Sequence, residues 1–181
     1  MPDPVTGEPT AADVAAYSQG LLAEGDSRTG LLLAGALAAA RAYCGWHVIP
    51  EVEATVTVDG PGSPLLVLPT LRLVELTELS EDGTDLAIDG VEWSGRGLVR
   101  KAGHGCWTRK YRGITATITH GFATAPDFNT AVLAAVDRVG AGGAETVGPF
   151  KFPDVGSASG GSTFSAAEKA ILDLYRLEPQ P

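Results

Sequence analysis

Leu31-Leu32-Leu33-Ala34-Gly35-Ala36-Leu37-Ala38-Ala39-Ala40-Arg41-Ala42-Tyr43-Cys44-Gly45-Trp46-His47-Val48-Ile49-Pro50 is the stretch on which the fold turns. Leu33, Leu37, Ala40 and Cys44 recur at helical spacing, and the Ala and Gly between them leave little bulk on the other faces, so neighbours can approach closely. Gly45, lacking a Cβ, suits the place where a helix stops. Beyond Pro50, Val52, Ala54, Val56 and Val58 alternate as in a strand. The hydrophobic period therefore changes here from helical to two, with helix before Gly45 and mostly strand for the next seventy-five residues or so.

Working outward, Met1 to Pro9 holds three prolines and two acids and reads as loose. Thr10-Ala11-Ala12-Asp13 resembles a capping box, and the stripe Val14, Tyr17, Leu21 predicts a helix from Ala11 to Gln19. Gly20 and Gly25 bound a hinge, after which Asp26 or Ser27 caps the long helix to Tyr43. Downstream, Glu51 to Asp59 reads as a strand, Gly60-Pro61-Gly62-Ser63-Pro64 as a turn, and Leu65 to Leu68 as a strand closed by Pro69. Arg72 to Ser80 is ambiguous, because Leu73, Leu76 and Leu79 have a spacing that also fits a helix. The Asp82-Gly83 hairpin signal, with Asp85 to Ile88 returning, decides for strand. Asp89-Gly90 reads as a second such turn before Val91-Glu92-Trp93, and Ser94 to Gly97 turns into Leu98 to Arg100, giving a meander of short strands. Ile114 to His120 is the cleanest alternating stretch in the chain.

From Pro126-Asp127 helical order returns, with the stripe Phe128, Val132, Ala135, Val139 stopped by Gly140, Gly142 and Gly143. Glu145 to Phe164 has little pattern, and the Gly/Ser linker from Gly140 to Phe164 reads as a surface loop or, as its length and embedded phenylalanines favour, an arm that orders against neighbouring subunits. Ser165-Ala166-Ala167-Glu168 is a capping box for a last helix to Leu174, read as a docking piece held away from its own core, with Ile171, Leu174 and Tyr175 on one face. The expected fold class is α+β: a helical part at 1–50, an antiparallel β-rich insertion at 51–125, a third helix at 126–142, and an arm with a C-terminal helix at 143–181.

At 181 residues the chain can bury a core without metal or disulfide staples. Charged residues are only 19 % and there are 23 glycines, which implies many loops and a surface partly covered by something else, or a drift in composition toward Ala and Gly. The net charge of −9 argues against a surface that wraps nucleic acid. It is unevenly laid out: Glu51 to Glu92 holds ten acids and one base, whereas Arg96 to Arg112 holds six bases and no acid. Complementary patches for a ring or stack would explain this, and so would strands that pair within one monomer. Two cysteines make no disulfide framework, the acidic start has no leader-like apolar run, and the Leu31 to Ala40 run is too short to cross a bilayer, so a reduced, cytosolic product without membrane contact is expected.

Catalytic motifs are missing: there is no dinucleotide or phosphate loop, no His-Glu-x-x-His and no Gly-x-Ser-x-Gly. Cys44, His47, His104 and Cys106 form the one combination with metal-ligand chemistry. The mixed halves and adjacent tryptophans favour Cys44 as a buried small hydrophobe and Cys106 as part of a loop wall, so no metal or cofactor is expected. Ser165 with His120 and Asp127 has the residue types of a triad, but Ser165 is better explained as a helix cap. The basic patch of Arg96, Arg100, Lys101, Arg109, Lys110 and Arg112, interleaved with Trp93, Trp107 and Tyr111, has the composition of a nucleic-acid surface, or of a protein-facing or channel-facing one.

Several motifs together resemble the head-to-tail connector proteins of tailed bacteriophages, in particular the adaptors of phages that infect actinobacteria. They are Arg41 to Pro50, the turn Thr57 to Gly62, Leu65 to Pro69, Glu81-Asp82-Gly83, Val91 to Ser94, Gly105-Cys106-Trp107, Ile118 to Phe122 and Pro126-Asp127, and the match runs from about Val14 to Arg176. The resemblance implies a non-enzymatic structural subunit of the virion neck, made in the host cytoplasm. It implies a homo-oligomeric ring, commonly of twelve subunits, that binds the portal protein on one side and a stopper or tail-terminator protein on the other. Duplex DNA would pass through without specific binding. By the same resemblance, Phe150 to Leu177 reaches toward the portal, which makes Phe150, Phe152, Phe164, Ile171, Leu174 and Tyr175 the expected partner-binding residues. Related proteins serve prophages and gene transfer agents. A small DNA-binding or DNA-packaging accessory protein is the alternative, and an enzyme of unrecognised chemistry a third class.

Overall fold

In the computed structural model, which describes residues 7–141, 146–147, 150–151 and 164–177, contacts separate a helical unit, built from the chain up to Cys44 and from Ala125 to Arg176, from a β unit spanning Gly45 to Thr124. The helical unit contains α1 (Ala11–Tyr17), α2 (Ser27–Cys44), α3 (Pro126–Ala141) and α4 (Ala166–Leu172), the last continuing as a 3₁₀ turn at Asp173–Tyr175. Both short helices start from reciprocal capping boxes, Thr10 with Asp13 and Ser165 with Glu168, which satisfy backbone N–H groups that a helix start leaves unpaired. At the far end of α2, Gly45 takes the left-handed conformation, φ +80°, that terminates it.

α2 buries Leu33, Ala36, Leu37, Ala40 and Cys44, and α3 buries Phe128, Ala131, Val132, Ala135 and Val136. Three expected stripe positions differ. Val139 is exposed because the stripe continues through Gly140, where a Cβ would stand 2.6 Å from Leu22 Cδ1. That is where a close approach occurs; Gly30 and Gly35 of α2 have no neighbour within 4 Å of an added Cβ. Tyr17 and Leu21 are exposed and Leu22 is buried instead, since α1 ends at Tyr17 and the positive φ values of Gln19 and Gly20 break the helical phase.

The C-terminal helix is not held away from its own core. α4 packs in the helical unit with Leu172 fully buried and Phe164 5 % exposed, and Cys44 Sγ donates to the Leu172 carbonyl. Buried Glu168 pairs with Arg138 at 2.6 Å, Tyr175 donates to Asp127 with its ring edge-on to Phe128, and Tyr43 donates to Asp173. The buried position is Leu172 rather than the Ile171, Leu174, Tyr175 face, because the inward line of α4 runs through Glu168 and Leu172, four residues apart, and leaves Leu174 on the outer side.

The β unit contains β1 (Val52–Val58), β2 (Leu65–Val67), β3 (Leu73–Glu81), β4 (Thr84–Asp85), a 3₁₀ turn (Ile88–Gly90), β5 (Val91–Trp93), β6 (Leu98–Lys101) and β7 (Ile114–His120). They form two antiparallel sheets, ordered β1-β7-β3-β4 and β2-β6-β5, so the strands are not the expected meander. β7 alternates buried and half-buried residues along its whole length and can therefore be central, between the first strand and the third. One core joins the inner faces of both sheets: Leu66 and Val99 from one, Leu73, Leu76, Leu79, Ile114, Ala116 and Ile118 from the other, with Trp107 from the following loop. The three-residue spacing in β3 belongs to a strand because register shifts fall between Leu73 and Glu75 and between Leu76 and Glu78, each bulge adding one residue between inward leucines. Asp82-Gly83 is the expected two-residue turn, both residues at positive φ. Asp89-Gly90 is not a hairpin turn: neither residue has positive φ, and they close the 3₁₀ turn instead. Two further short strands, β8 (Thr146–Val147) and β9 (Phe150–Lys151), pair antiparallel.

Candidate functional site

The basic stretch runs through β6 into a built loop. Trp107 is a core residue, 2 % exposed, with Lys101 Nζ 4.8 Å above its ring, so it offers no stacking platform to a base. From Trp107 onward the backbone is irregular yet tied at several points. Thr108 N–H donates to Glu81, Gly62 N–H to the Thr108 carbonyl, Gly60 N–H to the Lys110 carbonyl, and Arg112 N–H to Asp59. The result is a fixed tip, Arg109 to Arg112, carrying Tyr111 at 84 % exposure.

Three of the six bases are neutralised within the β unit. Arg100 forks onto Glu92 across paired strands, Lys101 Nζ lies 2.6 Å from Glu81, and Lys110 reaches Asp82 at 3.8 Å. The monomer explanation of the charge layout thus holds for these pairs. Arg96, Arg109 and Arg112 are exposed and have no ion pair among the described residues.

In a grouping the sequence reading missed, four of the ten acids between Glu51 and Glu92 gather on the outer face of the larger sheet. Its rows run Glu53–Thr119–Glu75, then Thr55–Thr117–Glu78, then Thr57–Thr115–Ser80–Asp85. Thr117 donates to Glu78 at 3.0 Å and stands 3.3 Å from Thr55 Oγ1, which holds the middle row in place. These four strands contain no Lys or Arg. The grouping rests on pairing between residues about forty to sixty positions apart, so no local pattern announces it.

A second cluster forms where the chain leaves α2. Val48, fully buried and β-branched, has φ +63°, a strained conformation, beside a cis Ile49–Pro50 bond. His47 donates to the Pro50 carbonyl, Phe122 N–H donates to the Val48 carbonyl, and the His47 and His120 rings meet edge-on at 4.5 Å beside Trp46. His120 is buried with Nδ1 unpartnered among the described residues. Burial, then the neighbouring His47, lowers its pKa to about 4.

No group of three or more His, Cys, Asp or Glu converges as a metal site among the described residues: Cys44 is buried against Leu172, with burial raising its thiol to about 11, while His104 and Cys106 are exposed. Ser165 is occupied as a cap and Asp127 by Tyr175. Of the expected partner-binding residues, Phe164 belongs to the helical core, Ile171 and Tyr175 are half-buried, and Leu174 is 71 % exposed. Phe150 lies in β9, and Phe152 lies outside the described residues. No helix among the described residues is long and apolar enough to cross a membrane.

No protein-family model matches the chain, and no curated protein matches it. Among solved structures the chain is similar to one in the neck of an empty GTA particle computed with C6 symmetry, with TM-score 0.64, 16 % identity, and 96 % of this chain and 92 % of that one covered. It is also similar to one in the neck of a native GTA particle computed with C12 symmetry, with TM-score 0.61, 17 % identity, and coverage of 100 % and 97 %. A chain of the native gene transfer agent virion matches at TM-score 0.56 and 16 % identity, covering 99 % and 96 %. At these identities the likeness shows the fold alone.

Proposed function

We propose that this chain is a structural subunit of a ring at the head-to-tail neck of a tailed phage, prophage or gene-transfer-agent particle, an adaptor between the portal and the next connector or tail component. The observation that carries this reading is the full-length similarity to neck chains in particles treated with six- and twelve-fold symmetry. A rotationally repeated interface between two different patches of one chain closes into a ring, and a ring has a channel through which DNA passes with little need for affinity. The internal neutralisation of Arg100, Lys101 and Lys110 supports a scaffold over a DNA-binding module, since half of the basic patch is already paired with this chain's own acids.

Purified protein separates this reading from the alternative of a DNA-binding or DNA-packaging accessory protein. Sedimentation and electron microscopy at high protein concentration are expected to reveal a discrete ring free of nucleic acid. A monomer or dimer that retards duplex DNA with steep salt dependence would instead identify the accessory protein.

A further inference from the structure

We infer that the Arg109–Arg112 tip of one copy docks on the Thr/Glu sheet face of the next copy, so that the β unit supplies a charge-complementary contact around the ring. The inference rests on the ring reading above. The tip has the make-up of an interface anchor: two exposed arginines without an ion partner among the described residues flank an almost fully exposed tyrosine. Its backbone is tied to Asp59, Gly60, Gly62 and Glu81, so little ordering entropy is lost when it is captured. The face is its counterpart in charge and chemistry. Glu53, Glu75, Glu78 and Asp85 stand among threonine hydroxyls on strands without a single base, and Glu78 is already oriented by Thr117. Carboxylates accept arginine hydrogen bonds bidentately, and the hydroxyls between them can meet a phenol. The two patches differ and belong to the same unit, so their contact is heterologous and propagates from copy to copy. Opposite charge on the two also disfavours tip-to-tip and face-to-face pairing.

Charge reversal on each side provides the test. Arg109→Glu with Arg112→Glu makes a chain with an acidic tip and acidic face, and Glu53→Lys with Glu75→Lys makes one with a basic tip and a basic charge on the Glu53–Thr119–Glu75 row of the face, where Glu78 and Asp85 remain as they are. All four positions are exposed, and circular dichroism checks that both variants remain folded. Sedimentation at low ionic strength is expected to show loss of the assembled species for each variant alone and its return in an equimolar mixture, where the two chains alternate around the ring. Assembly by either variant alone, or a mixture of folded variants that stays dissociated, overturns the inference and leaves the ring reading standing. A wild-type chain that never assembles overturns both.

Discussion

His120 ends the central strand with its ring turned inward, 6 % exposed and edge-on to His47, and this placement makes stability depend on pH. Its folded pKa of about 4 lies below the ordinary value of 6.5, so the unfolded chain takes up the proton first as pH falls. The contribution is fully present above the unfolded value, is lost as pH falls from about 6.5 to 4, and amounts to roughly 3 kcal/mol. His120→Phe is expected to remove that slope, which urea midpoints measured across the window would show; an unchanged slope would assign the dependence to other groups. Next to it, Gly121 has φ +112°, and a Cβ there would stand 2.5 Å from the Pro50 carbonyl oxygen and 2.7 Å from His47 Nε2. Gly121→Ala is therefore expected to cost about 2–4 kcal/mol in the same denaturation assay, through strain and displacement of the turn. Neither effect is legible in the sequence, where His120 reads as a strand end and as a residue type of a discarded triad, and Gly121 only as part of the Ile118 to Phe122 motif. Their partners lie in another part of the chain, and hydrophobic period says nothing about which distant segments meet.

Elements were legible where their signals are local. The two capping boxes, the Gly45 stop and the Asp82-Gly83 hairpin each involve residues within about one turn of one another, and each holds in the structure. β3 was legible only through its hairpin, because its bulges give inward leucines the spacing of a helix. The place of β7 between β1 and β3 was not legible, since non-local pairing leaves no periodic trace. α4 illustrates how a phase error misplaces a surface. The expected face is centred on Ile171 and Leu174, whereas α4 turns Glu168 and Leu172 inward, four residues apart, and leaves Leu174 out. Leu172→Ala is expected to cost about 2–5 kcal/mol by leaving a cavity in the helical unit, and Leu174→Ala to stay within about 0.5 kcal/mol. Denaturant midpoints of the two variants decide the matter; equal losses would mean that the turn after α4 packs differently.

At the scale of the whole molecule, the net charge of −9 conceals a division among the bases: some staple the β unit internally, whereas Arg96, Arg109 and Arg112 are exposed without an ion pair among the described residues. The helical unit makes a similar division among apolar residues. Phe164 and Leu172 are spent on its own core, which leaves Leu174 as the exposed apolar side chain of the C-terminal turn. That turn is held by Tyr175 on Asp127 and by Tyr43 on Asp173, so it presents Leu174 on a fixed support. In the proposed adaptor the contact with the portal is expected here. Burying one leucine is worth about 1.5–3 kcal/mol, and repetition around a ring multiplies a weak contact into a firm one through effective concentration. Deleting the chain after Gly143 would be a poor probe, because it strips Phe164 and Leu172 from the core and confounds docking with folding. Leu174→Asp is the better one: stability and ring assembly in solution are expected to match wild type, while particles assembled with the variant lose adaptor content, retained DNA and tail attachment together. Normal adaptor occupancy and normal tail joining in those particles would show that the C-terminal turn takes no part in the portal contact.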